Sequence, residues 1–234
     1  MKKEKILLII PAYNEGESIK RVIAELQEKY TQYDYLIIND GSVDNTEEIC
    51  KCNKYNYVSL PVNVGLAGVF RIGMKYADKY GYDMAIQYDG DGQHNPLYIE
   101  KMIQLMNQND DDIVIASRFL EEKGNISLRN IGSYIIRGLI LLTTGSRVTD
   151  PTSGMRLYNK RMIQLFSRNI NMPPEPDTIA YLIKCGYKVE ETQVTMRERQ
   201  AGMSYLNIGN SIRYMINMCL SIVFIQCFRG KKNI

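Results

Sequence analysis

The chain has 234 residues, 45% of them hydrophobic, with a formal net charge of +3 and one histidine. That length and apolar content suit one large α/β domain that buries its own core, and the small net charge, with no RNA- or DNA-reading motif, excludes nucleic acid as the partner. Five cysteines (Cys50, Cys52, Cys185, Cys219, Cys227) include no C-x-x-C pair and build no zinc site with the single histidine, so the sequence predicts a reducing cytosol rather than a disulfide framework.

The first half alternates between strand and helix signals. Ile6–Ile10 is a continuous apolar run, the pattern of a strand covered on both faces, and its setting between Lys5 and Pro11 is not that of a secretory signal. Ile19, Val22, Ile23 and Leu26 then recur at helical spacing. Tyr35–Ile38 reads as the second strand, with Asp44 or Asn45 as N-cap of a short helix through Cys52. Tyr57–Leu60 is a third strand, Gly65–Tyr80 a helix and Met84–Tyr88 a fourth strand. Asn95-Pro96 supplies cap and first residue of a helix whose apolar face is Ile99, Met102, Ile103 and Met106. Asp110-Asp111-Asp112 reads as a solvated turn before a fifth strand, Ile113–Ser117, and Cys50 and Cys52 read as packing groups.

After Ser117 the alternation stops. Ser127–Leu142 reads as a helix, Thr143–Gly154 as a loop, Asn159–Phe166 as a short helix, Asp177–Cys185 as another behind the Pro173-Pro174-Glu175-Pro176 break, and Tyr187–Val194 as a strand. No repeat or long linker appears, so residues 1–205 are expected as one domain and 206–234 as a tail. That tail carries four Lys or Arg and no acid, a charge of +4 against −1 for the rest. Tyr214–Phe228 has no charge, and as a helix it spans about 22 Å, short of the roughly 30 Å of a bilayer core. Such a helix either lies on the anionic cytoplasmic leaflet through its cationic flanks or completes the soluble core.

The β-α-β-α order predicts an α/β fold with a doubly wound, mainly parallel sheet, whose ligands sit beyond the carboxyl ends of the strands. Polar clusters occupy those ends: Pro11–Glu15, Asn39–Asp44, Asn63–Gly65 and Asp89–His94. In the last of these, Asp89 and Asp91 are hard oxygen ligands that, with Gln93, suit Mg²⁺ or Mn²⁺ and so a phosphate-bearing substrate. The same Asp-Gly-Asp-Gly string is also good turn chemistry.

Six motifs in order carry a resemblance: Pro11-Ala12-Tyr13-Asn14-Glu15, Asn39-Asp40-Gly41-Ser42-Val43-Asp44, Asn63-Val64-Gly65, Asp89-Gly90-Asp91-Gly92-Gln93-His94, Asp150-Pro151-Thr152-Ser153-Gly154-Met155-Arg156 and Arg199-Gln200-Ala201-Gly202-Met203-Ser204. Over residues 5 to 205 the chain resembles family-2 glycosyltransferases with a GT-A fold, within the dolichol-phosphate mannosyltransferase-like group that acts on polyprenyl phosphates. The resemblance implies that Pro11, Ala12, Tyr13, Glu15 and Asp40, with Asn63, Gly65 and Asp89, line the site of a UDP- or GDP-linked sugar. It implies a metal held by Asp89, Asp91 and Gln93, with Asp91 the nearest, and phosphate contacts from Arg118, Arg129, Ser153, Arg199 and Ser204. It further implies inversion at the sugar, transfer to an undecaprenyl- or dolichyl-type phosphate, a peripheral place on the cytoplasmic face of the membrane, and a small membrane partner subunit as a further expectation. The chain departs from the pattern at Ala67, where relatives often have glycine, and at Tyr205, where many have lysine.

The chemistry is coherent on its own terms. Breaking a nucleotide–sugar bond builds negative charge on the leaving diphosphate, which a divalent ion and fixed guanidiniums stabilise. An ionised lipid phosphate needs no base, whereas the hydroxyl of a lipid-linked glycan or surface polysaccharide needs one. Glu175 and Asp177 are the candidates for that base, or else acids favoured in a first helical turn. His94 is either a diphosphate contact or a side chain that caps the turn. A nucleotidyltransferase would place a glycine-rich, basic loop where Pro11–Glu15 stands. A non-catalytic sugar-nucleotide scaffold would not need the intact acidic pair.

Overall fold

A computed structural model of the chain describes residues 4–121, 128–197, 208–226 and 228–230. Seven strands form one sheet: β1 (Ile6–Ala12), β2 (Asp34–Asn39), β3 (Tyr57–Ser59), β4 (Met84–Gln87), β5 (Ile113–Ser117), β6 (Arg156–Asn159) and β7 (Val189–Gln193), in the order β3-β2-β1-β4-β6-β5-β7. All pairings are parallel except those of β6, which runs antiparallel between β4 and β5.

The continuous apolar run of β1 has the expected cause. Leu7 and Ile9 enter the core on one face of the sheet, and Ile6, Leu8 and Ile10 the core on the other. The second face is covered by α1 (Gly16–Lys29), α2 (Thr46–Cys52) and α4 (Ile99–Asn109), through Ile19, Val22, Ile23, Cys50, Met102 and Ile103. The first face carries α3 (Gly65–Lys79), α5 (Leu128–Thr144), α6 (Lys160–Arg168) and α7 (Pro176–Lys184), centred on edge-packed Phe70, Tyr158 and Phe166 with ring centroids 5.1–5.3 Å apart. Asn95 caps a 3-10 turn at Pro96–Tyr98 by accepting the Leu97 N–H at 3.1 Å, and α4 continues from it. Cys50 is buried and Cys52 exposed.

Two expectations change. β6 occupies the stretch between the expected loop and the expected helix, for which the sequence gives no element: it has four residues and opens with an arginine, so it carries no strand-like apolar run. Arg156 is nevertheless 2% exposed, because its guanidinium donates to the carbonyls of Ser153, Pro174 and Pro151 at 2.7–2.9 Å. The Asp110–Asp112 turn is solvated only at Asp110. Asp111 and Asp112 are buried, and the Asp112 carboxylate accepts from Lys188 N and Asn159 Nδ2, which gathers the starts of β5 and β7 and the end of β6. The described part of the tail packs on the domain: α8 (Ile208–Leu220) lies on α5, and the π-helical turns Ser221–Gln226 that continue it lie on α7.

Candidate active site

The parallel strands deliver their carboxyl ends to one edge of the sheet, and side chains there stitch the first three loops together. Asn14 N donates to Ser42 Oγ at 2.9 Å and Asn14 Oδ1 accepts from Val43 N at 2.9 Å. Glu15 N and Gly16 N donate to Thr46 Oγ1 and Asp44 Oδ2 at 3.0 and 3.1 Å. Burial works against the charged Asp44 carboxyl, but bonds from Thr46 and Gly16 outweigh it and hold the group below its ordinary range. Asp40 is 5% exposed and its two oxygens accept from Val64 N and Gly65 N at 2.7 and 2.9 Å, capping α3. Gly41 has φ +66°, and a Cβ there would stand 2.7 Å from the carbonyl carbon of Val62, so the second and third loops touch only because this residue is glycine.

Most of the expected nucleotide residues therefore share one ledge. Pro11 and Ala12 end β1, Tyr13 and Glu15 follow, and Asn63 Oδ1 accepts from Gly65 N at 3.1 Å. Two of them also serve the protein itself. Glu15 accepts from Ser18 Oγ at 2.5 Å, and Asp40 spends two acceptor positions on the helix it caps.

The Asp89–His94 turn sits against this ledge. A Cβ on Gly90 would lie 3.0 Å from the Pro11 carbonyl oxygen, so turn and first loop are in contact. Asp91 is 6% exposed, and its Oδ1 accepts the Gln93 N–H at 3.0 Å, an Asx turn that fixes the side chain. The Asp89 side chain keeps 39% of its surface open. His94 is buried at 1% exposure: Nδ1 accepts the Asp89 N–H at 2.9 Å, Nε2 stands 3.4 Å from Asp89 Oδ2, and the His94 carbonyl accepts the Tyr88 hydroxyl at 2.9 Å. Arg197 closes the outer side. Its N–H donates to the Gln93 carbonyl and its guanidinium to Asn95 Oδ1 and, in a two-pronged pair at 2.6 and 2.9 Å, to Glu25 of α1.

The expected ligands Asp89, Asp91 and Gln93 offer oxygen and no thiolate, which fits a hard divalent ion. Among the described residues no three His, Cys, Asp or Glu groups converge, so an ion at this turn would take its remaining oxygens from a ligand or water.

Across the sheet edge the side chains change character. Arg118, at the end of β5, forms a fork on fully buried Asp150, Nε to Oδ2 at 2.7 Å and one terminal nitrogen to Oδ1 at 2.8 Å, and Asp150 also accepts the Arg118 N–H. Glu191 of β7 accepts Thr149 N and Asp150 N at 2.6 and 2.8 Å, and burial pushes its carboxyl up despite these bonds. Ser153, expected as a phosphate contact, is 3% exposed, and its hydroxyl donates to the Ala116 carbonyl at 2.6 Å. Glu175 accepts from the Tyr214 hydroxyl, and Asp177 from Ser221 Oγ at 2.6 Å and Gln226 Nε2 at 3.1 Å, so both carboxylates hold the C-terminal helix. The Arg129 side chain, Arg199 and Ser204 lie outside the described residues.

Two groups on α5 were not anticipated. Ser133 Oγ and Arg137 Nε are buried with no hydrogen-bond partner among the described residues, and the Arg137 guanidinium lies over Phe119 and Tyr134 at 4.7 and 4.8 Å. Their spacing from Arg129, four and eight residues on, was the available signal, since such positions share a helix face.

Known proteins resemble the chain in sequence and fold. The family model "Glycosyl transferase family 2" matches residues 7–166. The UDP-N-acetylglucosamine–dolichyl-phosphate N-acetylglucosaminyltransferase of Methanococcus voltae is 34% identical over 190 residues, 73% of this chain and 75% of that protein. The undecaprenyl-phosphate mannosyltransferase of Micrococcus luteus is 24% identical over 217 residues, 88% of each chain. Among solved structures, glucosyl-3-phosphoglycerate synthase from Mycobacterium tuberculosis, in complex with Mn²⁺, UDP and phosphoglyceric acid, shares the fold with a TM-score of 0.70 at 17% identity, over 97% of this chain and 80% of that one. The family match runs from β1 through α6 and takes in the ledge, the carboxylate turn and the Arg118–Asp150 pair, and on that ground the chain belongs to glycosyl transferase family 2.

Proposed function

We propose that this glycosyltransferase moves a sugar, with inversion, from a nucleotide-diphosphate donor to the phosphate of a polyprenyl phosphate at the cytoplasmic face of a membrane. The observation that carries the reading is the use of the two candidate bases. Glu175 and Asp177 are bonded to Tyr214, Ser221 and Gln226, so both carboxylates are engaged inside the fold, as suits an acceptor that arrives already ionised. The names of the relatives from Methanococcus voltae and Micrococcus luteus, both of which take a polyprenyl-type phosphate, support the same acceptor.

In this reading Pro11–Glu15, Asp40 and Asn63–Gly65 receive the nucleotide, and Asp89 and Asp91, helped by Gln93, hold Mg²⁺ or Mn²⁺ at the diphosphate. The ion, when bound, neutralises charge on the departing diphosphate. Arg118, fixed in orientation by Asp150, would meet the acceptor phosphate with Ser133, and the sequence resemblance adds Arg129 and Arg199 to that task, for which guanidinium forks suit phosphate oxygens.

The membrane contact falls to α5 and the 206–234 tail. Among the described residues no helix is long and apolar enough to cross a membrane. Yet Ile135 and Leu142 on α5, Ile212 and Ile216 on α8, and Phe224 and Phe228 beyond it are 51–82% exposed. α5 and α8 contain arginines and no acid, and Met215 of α8 rests on Gly132 of α5, so the two form one unit of the charge that anionic lipid attracts. A small membrane subunit seated on the same face is the other occupant to test.

The deciding experiment supplies UDP- and GDP-sugars with Mn²⁺ or Mg²⁺ and offers either a short-chain polyprenyl phosphate or a lipid-linked glycan. Metal-dependent product on the bare polyprenyl phosphate is expected. Product on the glycan alone would reject the proposed acceptor.

A further inference from the structure

His94 carries a consequence for Asp89 that follows from where one proton must be. Its Nδ1 accepts the backbone N–H of Asp89 at 2.9 Å, so Nδ1 bears no proton and the ring proton is on Nε2. That N–H is the group 3.4 Å from Asp89 Oδ2. The ring cannot swing away, being 1% exposed, packed edge-on to Tyr88 at 5.5 Å and tied through its own carbonyl to the Tyr88 hydroxyl. On the other side of the carboxylate lies the bare Cα of Gly154. A Cβ there would stand 2.7 Å from Asp89 Oδ2 and 3.5 Å from His94 Cε1.

We propose that His94 is a positioning residue: with Gly154 it forms a slot that fixes the Asp89 carboxylate in one rotamer, with the second carboxylate oxygen left to the crevice. The proposal rests on the reading of Asp89 as part of a metal–diphosphate site. It assigns His94 to that site through Asp89, not through direct contact with diphosphate. The backbone half of the interaction shapes the turn, while the Nε2 half presets a ligand, and the two halves are separable by substitution. Asparagine at 94 offers an acceptor near the Nδ1 position and nothing near Nε2. Glutamine does the reverse.

His94 is the only histidine, so the ring nitrogens of ¹⁵N-histidine-labelled protein give one unambiguous pair of NMR signals. A neutral ring protonated at Nε2 is expected in the free protein, and a proton on Nδ1 or a mixture of the two forms overturns the proposal. Calorimetric titration of Mn²⁺ into protein with UDP is the second measurement. His94→Ala is expected to weaken Mn²⁺ binding about tenfold, the usual effect of losing a partner that orients a metal ligand. His94→Asn should stay as weak, His94→Gln should recover most of the loss, and Gly154→Ala should weaken binding with His94 intact. Recovery by asparagine instead of glutamine would make His94 a cap of the turn only. If the unmodified protein binds UDP equally with and without Mn²⁺, the metal-site reading fails, and the NMR result still decides the tautomer. The spectrum of the unmodified protein also stands if a variant does not fold.

Discussion

The two halves of the crevice are built from opposite materials. From β1 to β5 the loops are held by Asp, Asn, Ser and Thr side chains that accept or donate to nearby backbone, as Asp44 does for Gly16 and Thr46 and Asp40 for Val64 and Gly65. From Arg118 onward the groups are guanidiniums, buried carboxylates bonded to partners far along the chain, and an apolar surface left open. The first half presents oxygens and amide groups suited to a nucleotide and its metal, and the second presents positive charge and grease suited to a lipid anion. Each half thus has its own chemistry of binding, and damage to one should leave the other able to bind.

The largest effect expected from breaking the donor side is that of Asp91→Ala. It should lower transfer about a hundredfold or more and remove Mn²⁺-dependent UDP binding, while binding to vesicles persists. Unchanged transfer would end the metal assignment. Next is Asp150→Asn, which strips Arg118 of its fork. Stability in urea should fall by about 2 kcal/mol, below the loss for a fully buried pair because Arg118 retains water contact, with a melting point lower by about 4–8 °C. Donor binding measured on the folded variant should be intact, and its loss would erase the division between halves.

A smaller effect sharpens the lipid side. The double variant Leu142→Asp with Ile216→Asp should partition about tenfold less onto anionic vesicles, with transfer to a detergent-soluble short-chain acceptor retained. Equal partitioning would move the membrane contact elsewhere. The smallest concerns Glu175, whose carboxyl is pushed up from its ordinary 4.5 by burial, with Asp177 acting in the same direction against the Tyr214 bond and the Arg156 charge. Because the native state keeps that proton where the unfolded chain has lost it, Glu175 lowers stability progressively as pH rises above about 4.5 through the raised native value. Glu175→Gln should therefore gain on the unmodified protein over that window and then hold a constant margin, as read by urea melts at stepped pH. A margin that does not vary with pH would show that Glu175 titrates alike in both states.

Legibility followed the same divide. β1, β2, β4 and β5 were visible because each is a short apolar run bounded by turn residues, and the polar ledge because its partners mostly sit in motifs at strand ends. The second half hid its logic in distance. Arg118 finds Asp150, Glu191 reaches back to Thr149, Glu175 meets Tyr214 and Asp177 meets Ser221, all more than thirty residues apart in sequence. No local spacing announces such pairs, so the partners that Ser153, Glu175 and Asp177 have inside the fold could not be read from the sequence. β6 stayed hidden because a buried arginine, satisfied by three carbonyls, looks polar to any hydropathy pattern.

The direction of β6 has an evolutionary consequence. Arg156, its first residue, lies level with Gln87 of β4 and Ile115 of β5, so the chain leaves the crevice edge after β5, runs out along α5 and returns to the same edge. A detour that begins and ends at one place imposes no register on the strands it joins. Its length is constrained by α7 and α8, not by the sheet. Descendants could therefore lengthen, shorten or replace this arm by whole helical turns, trading one membrane or partner for another, without altering how the donor is held.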